Sequence, residues 1–282
     1  MIAVLGGLGA AVAWAVTTLT ASRASRLIGS WSTLAWVMLT GLIVVGPVAL
    51  VEGKPDALDR GALTWLVIAG VGNITGLLLV YTGLKIGKVG VVSPISSAEG
   101  AVAAVFAVVA GETLGVGTAL ALAAIAVGIV LAARPPPERE EAGRDDPRAA
   151  WFGLGAALAF GAGLYATGRA SLDLPIAWAV LPPRLLGVAL VTIPLALAGK
   201  LRLTRQAAPL VIASGLAEVV GFASYAIGAR HDIAIAAVFA SQFAAIAAIG
   251  AAILFKERLT RTGVAGVIVI AIGVAVVSAL NA

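Results

Sequence analysis

Three ionisable side chains interrupt the long apolar stretches of this 282-residue chain. Glu99 lies about halfway along the fourth stretch, Arg184 lies about two turns into the seventh, and Glu218 lies about halfway along the eighth. An ionisable group at the centre of a hydrocarbon layer costs on the order of 2.5 to 3.5 kcal/mol, so each of the three is a candidate functional residue facing the interior of a helix bundle. A carboxylate in such a place can bind a cationic group, and its protonation releases that group.

Uncharged polar and aromatic side chains share helix faces with these residues. Residues three, four or seven positions apart lie on one face of a helix, so Ser96 accompanies Glu99 and Tyr225 accompanies Glu218. Other apolar stretches contain further polar or aromatic side chains that could converge on the same pocket. The predicted binding residues are Glu218, Glu99, Asn73, Gln242, Ser96, Tyr81, Tyr225, Trp14 and Arg184.

Prolines mark places where two of these helices would bend or break. Proline lacks the backbone N–H, so it removes a helical hydrogen bond and can expose a carbonyl oxygen to a cavity. Pro94 precedes Glu99, and Pro182 and Pro183 directly precede Arg184. The three prolines are predicted to be hinge or gate residues. The alternative for Pro182 and Pro183 is ordinary placement at the start of a helix.

Structural roles are the alternative for several of these residues. Glu218 and Arg184 could form a buried structural ion pair, and serine and threonine hydroxyls could bond carbonyl oxygens of their own helices. Tyrosines also anchor helices at the membrane interface. Glu112 and Glu257 occupy equivalent turns and are predicted to accept hydrogen bonds from free N–H groups of the next helix, which is a structural role. His231 is predicted to lie at the surface.

The elements that position these residues follow from composition and segment length. With 61% hydrophobic residues, 12% charged residues and a mean hydropathy of +1.06, the chain cannot be a water-soluble domain. Lipid offers no partner for backbone N–H and C=O groups, and the alternation of a barrel strand is missing, so the stretches must be helices. Ten of them are long enough to cross a hydrocarbon core roughly 30 Å thick. They are predicted at about residues 2–21, 33–51, 62–84, 89–110, 114–133, 150–169, 177–198, 207–229, 234–255 and 260–281.

The order and spacing of these helices repeat once along the chain. The segment "GETLGVGTALALAAIAVGIV" from Gly111 lies over "KERLTRTGVAGVIVIAIGVA" from Lys256 at a shift of about 145 residues. Residues 1–133 and 150–282 are therefore predicted to be two five-helix repeats, joined by a charged, proline-rich linker at 134–149. An odd number of helices inserts the second repeat upside down, so the prediction is two inverted repeats of transmembrane helices around a central cavity.

The two repeats differ at the ionisable positions. In this alignment Glu218 replaces Asn73, and Glu99 replaces Ala244. A site built between the halves is therefore not symmetric. The binding of one unsymmetrical solute requires such asymmetry.

Lysine and arginine residues in the loops predict the orientation in the membrane. Fourteen of the 19 lie in loops after odd-numbered helices, and only four lie on the opposite side. Because positive loops tend to remain in the cytoplasm, both termini of this multi-pass protein are predicted to face outwards from the cell (inner) membrane. The first apolar stretch has no positive charge before it, and it is predicted to be a retained helix and not a signal peptide.

Residue types exclude other classes of function. The chain has no cysteine and a single histidine, so thiolate catalysis and cysteine-based metal sites are excluded, and no catalytic residue, metal or cofactor is predicted. Positive charge is spread over short loops instead of one face, which argues against nucleic-acid binding. Repeated bundles around a cavity are typical of secondary transporters. An intramembrane enzyme, which needs a nucleophile and a base, is the non-transport alternative.

Three segments carry a resemblance to a known family. They are the two repeat endings "GETLGVGTALALAAIAVGIVL" and "KERLTRTGVAGVIVIAIGVAVV", and "YTGLKIGKVGVVSPISSAEGA" from Tyr81, and they resemble the EamA-type branch of the drug/metabolite transporter superfamily. The resemblance implies a ten-helix basket with alternating access. It also implies transport of a small polar or amphipathic metabolite, such as an amino acid or amine, by export or exchange.

The resemblance also implies partners for this chain, and it shows where the sequence departs from its relatives. The partners are a small-molecule substrate, the lipid bilayer and protons as a candidate coupling ion, and a monomer would suffice because one chain supplies both halves of a cavity. A proton-coupled exporter of multidrug or cationic compounds is the alternative. Relatives in the small multidrug resistance group have an acid beside the aromatic residue of the first span, whereas Trp14 has none near it. Many members keep both termini in the cytoplasm, opposite to the orientation that the loop charges predict.

Overall fold

The computed structural model describes residues 1–86, 95–132, 148–243, 245–246 and 261–280. Within those ranges every regular element is a helix, which confirms the predicted all-α class. The helices in chain order are α1 (Ile2–Ile28), α2 (Ser30–Glu52), α3 (Arg60–Ile86), α4 (Glu99–Val109), α5 (Val116–Ala132), α6 (Arg148–Asp173), α7 (Ile176–Leu197), α8 (Ala208–Ala229), α9 (Ile233–Ala240) and α10 (Arg261–Leu280).

Six helices of the described ranges are long and apolar enough to cross a membrane, by length and composition. They are α1, α2, α3, α6, α7 and α8, and their apolar spans contain between 21 and 26 residues. This result supports a multi-pass membrane protein. The predicted spans at 89–110, 114–133, 234–255 and 260–281 all include residues outside the described ranges. The count of ten spans therefore stays a prediction.

Helices from the two predicted repeats pack against each other in pairs. α1 lies against α8 and α3 lies against α6, while α2, α4 and α5 lie against α7, α9 and α10, respectively. Glycines let the backbones come close. A Cβ atom on Gly72 of α3 would lie 2.6 Å from the carbonyl oxygen of Ala159 in α6, and one on Gly6 of α1 would lie 2.6 Å from that of Ser224 in α8. The closest contacts of the bundle thus join one half of the chain to the other.

Hydroxyl groups reinforce the contact between α1 and α8. The Oγ1 atom of Thr17 donates to the carbonyl oxygen of Ser214 at 3.2 Å, and the Oγ atom of Ser214 donates to the carbonyl oxygen of Thr17 at 3.1 Å. Thr20 lies 3.0 Å from the Ser214 hydroxyl. Thr18 instead donates to Trp14 within its own helix, at 2.8 Å. Hydroxyls in these helices therefore serve both contacts between helices and contacts within one helix.

The helix that carries Arg184 is irregular. α7 begins at Ile176, so Pro182 and Pro183 lie inside it and not at its start. Beyond them, between Val188 and Thr192, the turns widen to the π form. Prolines and π turns are the usual causes of bends in a helix. A hinge at Pro182 and Pro183 stays a prediction, now on a helix with two sources of irregularity.

Candidate functional site

Two helix breaks lie at nearly equivalent positions of the sequence repeat. Residues 95 and 96 are helical, residues 97 and 98 form a turn, and α4 then begins at Glu99. In the second half, α9 ends at Ala240, residues 241 and 242 form a turn, and residue 243 is helical again. The repeat alignment places Ser96 over Ser241. Each of these two predicted spans is therefore interrupted, and the two turns differ by one residue in the repeat alignment.

Backbone hydrogen bonds between residues three apart mark both breaks. The N–H of Ala98 donates to Ile95 at 3.2 Å, and the N–H of Gln242 donates to Phe239 at 3.2 Å. Both bonds join residues three apart, whereas the α-helix joins residues four apart, so each turn is wound more tightly than the helix around it. The predicted break at Pro94 lies outside the described residues, and the break within them follows a few residues later.

The two breaks lie against each other. A Cβ atom on Gly100 would overlap the Ser241 hydroxyl and the carbonyl oxygen of Ala237 in α9. Glu99, in the first turn of α4, is 6% exposed, and Gln242 is 4% exposed. The start of a helix carries a partial positive charge, so the N-terminus of α4 attracts a negative charge on Glu99. Interrupted helices of this kind form the solute and ion sites of many transporters.

An aromatic cluster lies beside the breaks. The Trp14 ring packs edge-on against Phe222 and Phe243, with centroid distances of 5.0 and 6.3 Å, and it lies 6.4 Å from the ring of Tyr225. Gly221 makes this arrangement fit, because a Cβ atom there would collide with Nε1 of Trp14. The indole is thus held between α8 and the residue that follows Gln242.

Arg184 is fully buried and connects α7 to α8. Its Nη1 atom donates to the Val180 carbonyl oxygen at 3.3 Å, and its Nη2 atom donates to the backbone carbonyl oxygen of Glu218 at 3.1 Å. Its guanidinium carbon lies 4.5 Å from the centre of the Phe222 ring, which is cation–π geometry. The side chains of Arg184 and Glu218 attract each other but form no direct ion pair. The structural ion pair is therefore replaced by a bond to the backbone of Glu218.

Four buried polar atoms have no hydrogen-bond partner among the described residues. All four belong to predicted binding residues, and each of these residues is at most 7% exposed. A buried polar atom without a partner costs roughly 1–3 kcal/mol, so each one calls for an explanation. A bound solute would supply partners for these atoms. They are Nε1 of Trp14, Oδ1 of Asn73, Nε of Arg184 and Nε2 of Gln242.

Two carboxylates within the apolar helices, the buried Glu99 and the half-buried Glu218, come from different halves of the chain. Glu99 and Glu218 lie close enough for their charges to repel each other. A cationic group between them would relieve that repulsion. This pair joins the break at α4 to the face of α8 that carries Phe222 and Tyr225.

Other predicted residues have more limited descriptions. Asn73 is buried on α3, where a Cβ atom on Gly163 of α6 would lie 3.2 Å from its backbone nitrogen. Ser96 is half-buried. Pro94 and the side chain of Tyr81 lie outside what the structure describes. Their predicted roles stay predictions.

The structure adds residues to the site that the sequence reasoning missed. Phe222 lies four positions after Glu218, so helical spacing could have identified it. Phe243 follows Gln242 at the second break, and no local sequence signal distinguishes it from other residues of an apolar span. Ser241, which precedes Gln242, is polar and could be recognised from the sequence as Gln242 was.

The turn glutamate has a partner other than the predicted one. Glu112 accepts a hydrogen bond through Oε2 from the backbone N–H of Ala234, at 3.4 Å, at the start of α9 and not of the next helix in the chain. Asp232, also missed by the sequence reasoning, caps the same helix. His231 beside it is exposed, as predicted, and Glu257 lies outside the described residues.

Replacing Tyr225 with phenylalanine tests whether its hydroxyl binds solute. The hydroxyl donates to the carbonyl oxygen of Leu164 in α6 at 2.8 Å, and the side chain is fully buried. We expect Tyr225→Phe to lower the free energy of unfolding by about 1 kcal/mol, the usual value of such a bond, and to leave flux within about twofold. Thermal unfolding in detergent and flux into proteoliposomes measure the two effects. Lost flux with unchanged stability would instead assign the hydroxyl to the solute.

Comparison with known proteins gives a family match for the first half of the chain and a structural match for nearly all of it. Residues 1–134 match the family described as the EamA-like transporter family. This match is consistent with membership of the drug/metabolite transporter superfamily, whose EamA members are transporters and not enzymes. No curated protein matches the chain significantly. A solved structure titled "Crystal structure of protein" has a similar fold, with a TM-score of 0.78 and 17% sequence identity over 99% of this chain and 97% of that one.

Proposed function

We propose that this chain, whose residues 1–134 match the EamA-like transporter family, is a secondary transporter that works by alternating access. It moves a small polar or amphipathic metabolite, such as an amino acid or amine, across the cell (inner) membrane by export or exchange. The observation that carries this proposal is the set of unpartnered buried polar atoms, of which Nε2 of Gln242 lies at the second helix break and Nε1 of Trp14 belongs to a ring that packs against Phe243 beside it. A buried polar atom costs free energy while it lacks a partner, and a polar solute that reached these atoms would supply one.

The proposed architecture is ten transmembrane helices in two inverted five-helix repeats. Residues 1–133 and 150–282 form the repeats, and 134–149 link them. The pairing of helices supports this arrangement: α1 lies against α8 as its counterpart α6 lies against α3, and α4 lies against its own counterpart α9. Both termini then lie outside the cell, as the loop charges predict.

The proposed mechanism uses the carboxylates of Glu99 and Glu218 as the charge-recognising groups. A solute enters between the halves and contacts Glu218, Glu99, Asn73 and Gln242. If it carries an amino group, a carboxylate supplies the counter-charge, and protonation of that carboxylate releases the solute and couples flux to protons.

Two of the unpartnered donors support movement of the helices during transport. Nε of Arg184 lies 3.4 Å from the position that a Cβ atom on Gly41 of α2 would occupy, and Nε1 of Trp14 lies against Gly221 of α8. Both donors therefore face a neighbouring helix in this conformation. A shift of α2 or α8 during rocking would free them to bond a solute.

Two alternatives predict different behaviour. A proton-coupled exporter of multidrug or cationic compounds would also use Glu99 and Glu218, but it would accept many unrelated cations. An intramembrane enzyme would convert its substrate, although the chain offers one histidine and no cysteine for that chemistry. The range of compounds that cross separates the two transporters, and a chemical change in the compound would indicate the enzyme.

Release of metabolites from proteoliposomes tests the proposal. We expect liposomes loaded with a mixed metabolite pool to lose particular polar solutes only when the protein is present, as measured by mass spectrometry with and without a pH gradient. A gradient effect would indicate proton coupling. Unchanged contents, both alone and after addition of external solute for exchange, would contradict transport.

A further inference from the structure

The turn between α4 and α5 reaches across to the start of α9. Oε2 of Glu112 accepts a hydrogen bond from the backbone N–H of Ala234 at 3.4 Å. Oδ1 of Asp232 accepts one from the backbone N–H of Ile235 at 2.7 Å. Two carboxylates, one from each half of the chain, therefore occupy the N-terminus of one helix.

The positive charge near these two carboxylates is too small to stabilise both of them in the ionised form. A helix N-terminus carries roughly half of a positive charge. Glu112 and Asp232 repel each other, and this repulsion exceeds the attraction of Glu112 to Arg169 of α6. Two neutral groups, Tyr165 of α6 and Tyr225 of α8, also lie within electrostatic range of Glu112. One proton bound by the pair would remove the repulsion.

The residues directly beneath this contact are buried. Ala107, whose carbonyl oxygen accepts a hydrogen bond from the backbone of Glu112 at 3.0 Å, is fully buried, and so is Ala234. α9 runs from this contact to the second helix break, at Ser241 and Gln242. Release of its first turn would therefore open this end and also move the proposed solute site.

We propose that Glu112 and Asp232 form a proton-linked clamp that holds α9 against the α4–α5 turn and keeps this end of the bundle closed. Glu112 is a positioning residue in this role, because it acts on the solute site through α9. The protonated carboxyl still accepts the hydrogen bond from Ala234 through its carbonyl oxygen. The doubly ionised pair repels, which favours release of Glu112 into water.

The direction of the pH response follows from the closed geometry. Burial, and then repulsion by Asp232, raise the pKa of Glu112 above its ordinary value, and backbone hydrogen bonds only partly oppose this. Burial also raises the pKa of Asp232. In the open arrangement Glu112 would meet water and its pKa would fall towards the ordinary value. The closed state thus binds the proton more tightly, so acid favours closure and a rise in pH favours opening.

Cysteine labelling measures the clamp without a known substrate. This inference rests on the proposed alternating access. If the protein transports solute but the labelling rate does not depend on pH, the clamp is wrong and the transport proposal stands. The chain has no cysteine, so Ala107→Cys gives one reporter beneath the clamp, and Ala57→Cys in the exposed loop between α2 and α3 gives a reference for thiol reactivity. The purified protein in detergent is labelled with a maleimide, which then reaches both ends of the bundle.

We expect the labelling rate at Ala107→Cys, relative to Ala57→Cys, to fall several-fold between about pH 8 and about pH 5, because the closed state binds the proton more tightly. With Glu112→Gln added, labelling should be slow at both pH values, because the neutral amide keeps the bond without repulsion. No pH response in the native background, or an unchanged one in Glu112→Gln, would overturn the clamp. If Glu112→Gln does not fold, Asp232→Asn decides: it keeps a helix cap and should weaken the pH response, and an unchanged response would overturn the proposal.

Discussion

Glu218→Gln is expected to lower solute flux about 30- to 150-fold while leaving a folded protein. A hydrogen bond to a charged group contributes about 2–3 kcal/mol, and its loss gives a change of that size. The fold should survive because Arg184 bonds the backbone carbonyl oxygen of Glu218 and not its carboxylate. Flux into proteoliposomes of the solute identified by mass spectrometry measures the effect, and gel filtration checks the fold.

A matched control for this variant is Glu52→Gln. Glu52 lies at the end of α2, is exposed, and loses the same charge on substitution. Its flux should equal that of the native protein. Native flux in Glu218→Gln would remove the carboxylate from the mechanism and leave Glu99 as the candidate for charge recognition.

Gly100→Ala is expected to wedge apart the two helix breaks. The added Cβ atom would overlap the Ser241 hydroxyl and the backbone oxygen of Ala237, and a backbone atom cannot move aside as a flexible side chain can. Overpacking of this kind costs about 1–3 kcal/mol in the free energy of unfolding. Heating the protein in detergent while recording its helical circular dichroism measures the loss.

Gly46→Ala is the control for this wedge. A Cβ atom on Gly46 in α2 would meet only the Leu42 side chain, at 3.7 Å, which is ordinary contact. Alanine also favours a helix over glycine, so this variant should be at least as stable as the native protein. Equal unfolding temperatures for the two variants would contradict the close approach of α4 and α9 at Gly100.

Sequence reasoning identified charged residues of the candidate site because a charge stands out in an apolar span. We could identify Glu99, Arg184 and Glu218 without knowing how the helices pack. The helix breaks differ, since Ser241 and Gln242 contain neither proline nor glycine and read as part of a continuous span. Their geometry depends on contact between α4 and α9, far apart in the chain.

The same limit applies to partners of the identified residues. Proximity of Arg184 and Glu218 could be inferred from complementary charge, but the choice of a backbone oxygen over a carboxylate depends on how α7 and α8 meet. Likewise, Glu112 was expected to bond its own neighbouring helix, and the structure pairs it with α9. Residue type predicts which groups need partners, and tertiary packing selects them.

The unequal halves of the site have an energetic consequence. In a carrier made of two identical inverted copies, exchanging the conformations of the copies would convert the outward-open form into an inward-open form of the same energy. In this chain the copies are not identical, because the repeat alignment pairs Glu99 with Ala244 and Glu218 with Asn73. If the proposed alternating access holds, the two forms therefore differ in energy, and the unloaded protein is expected to rest with one side open in preference to the other.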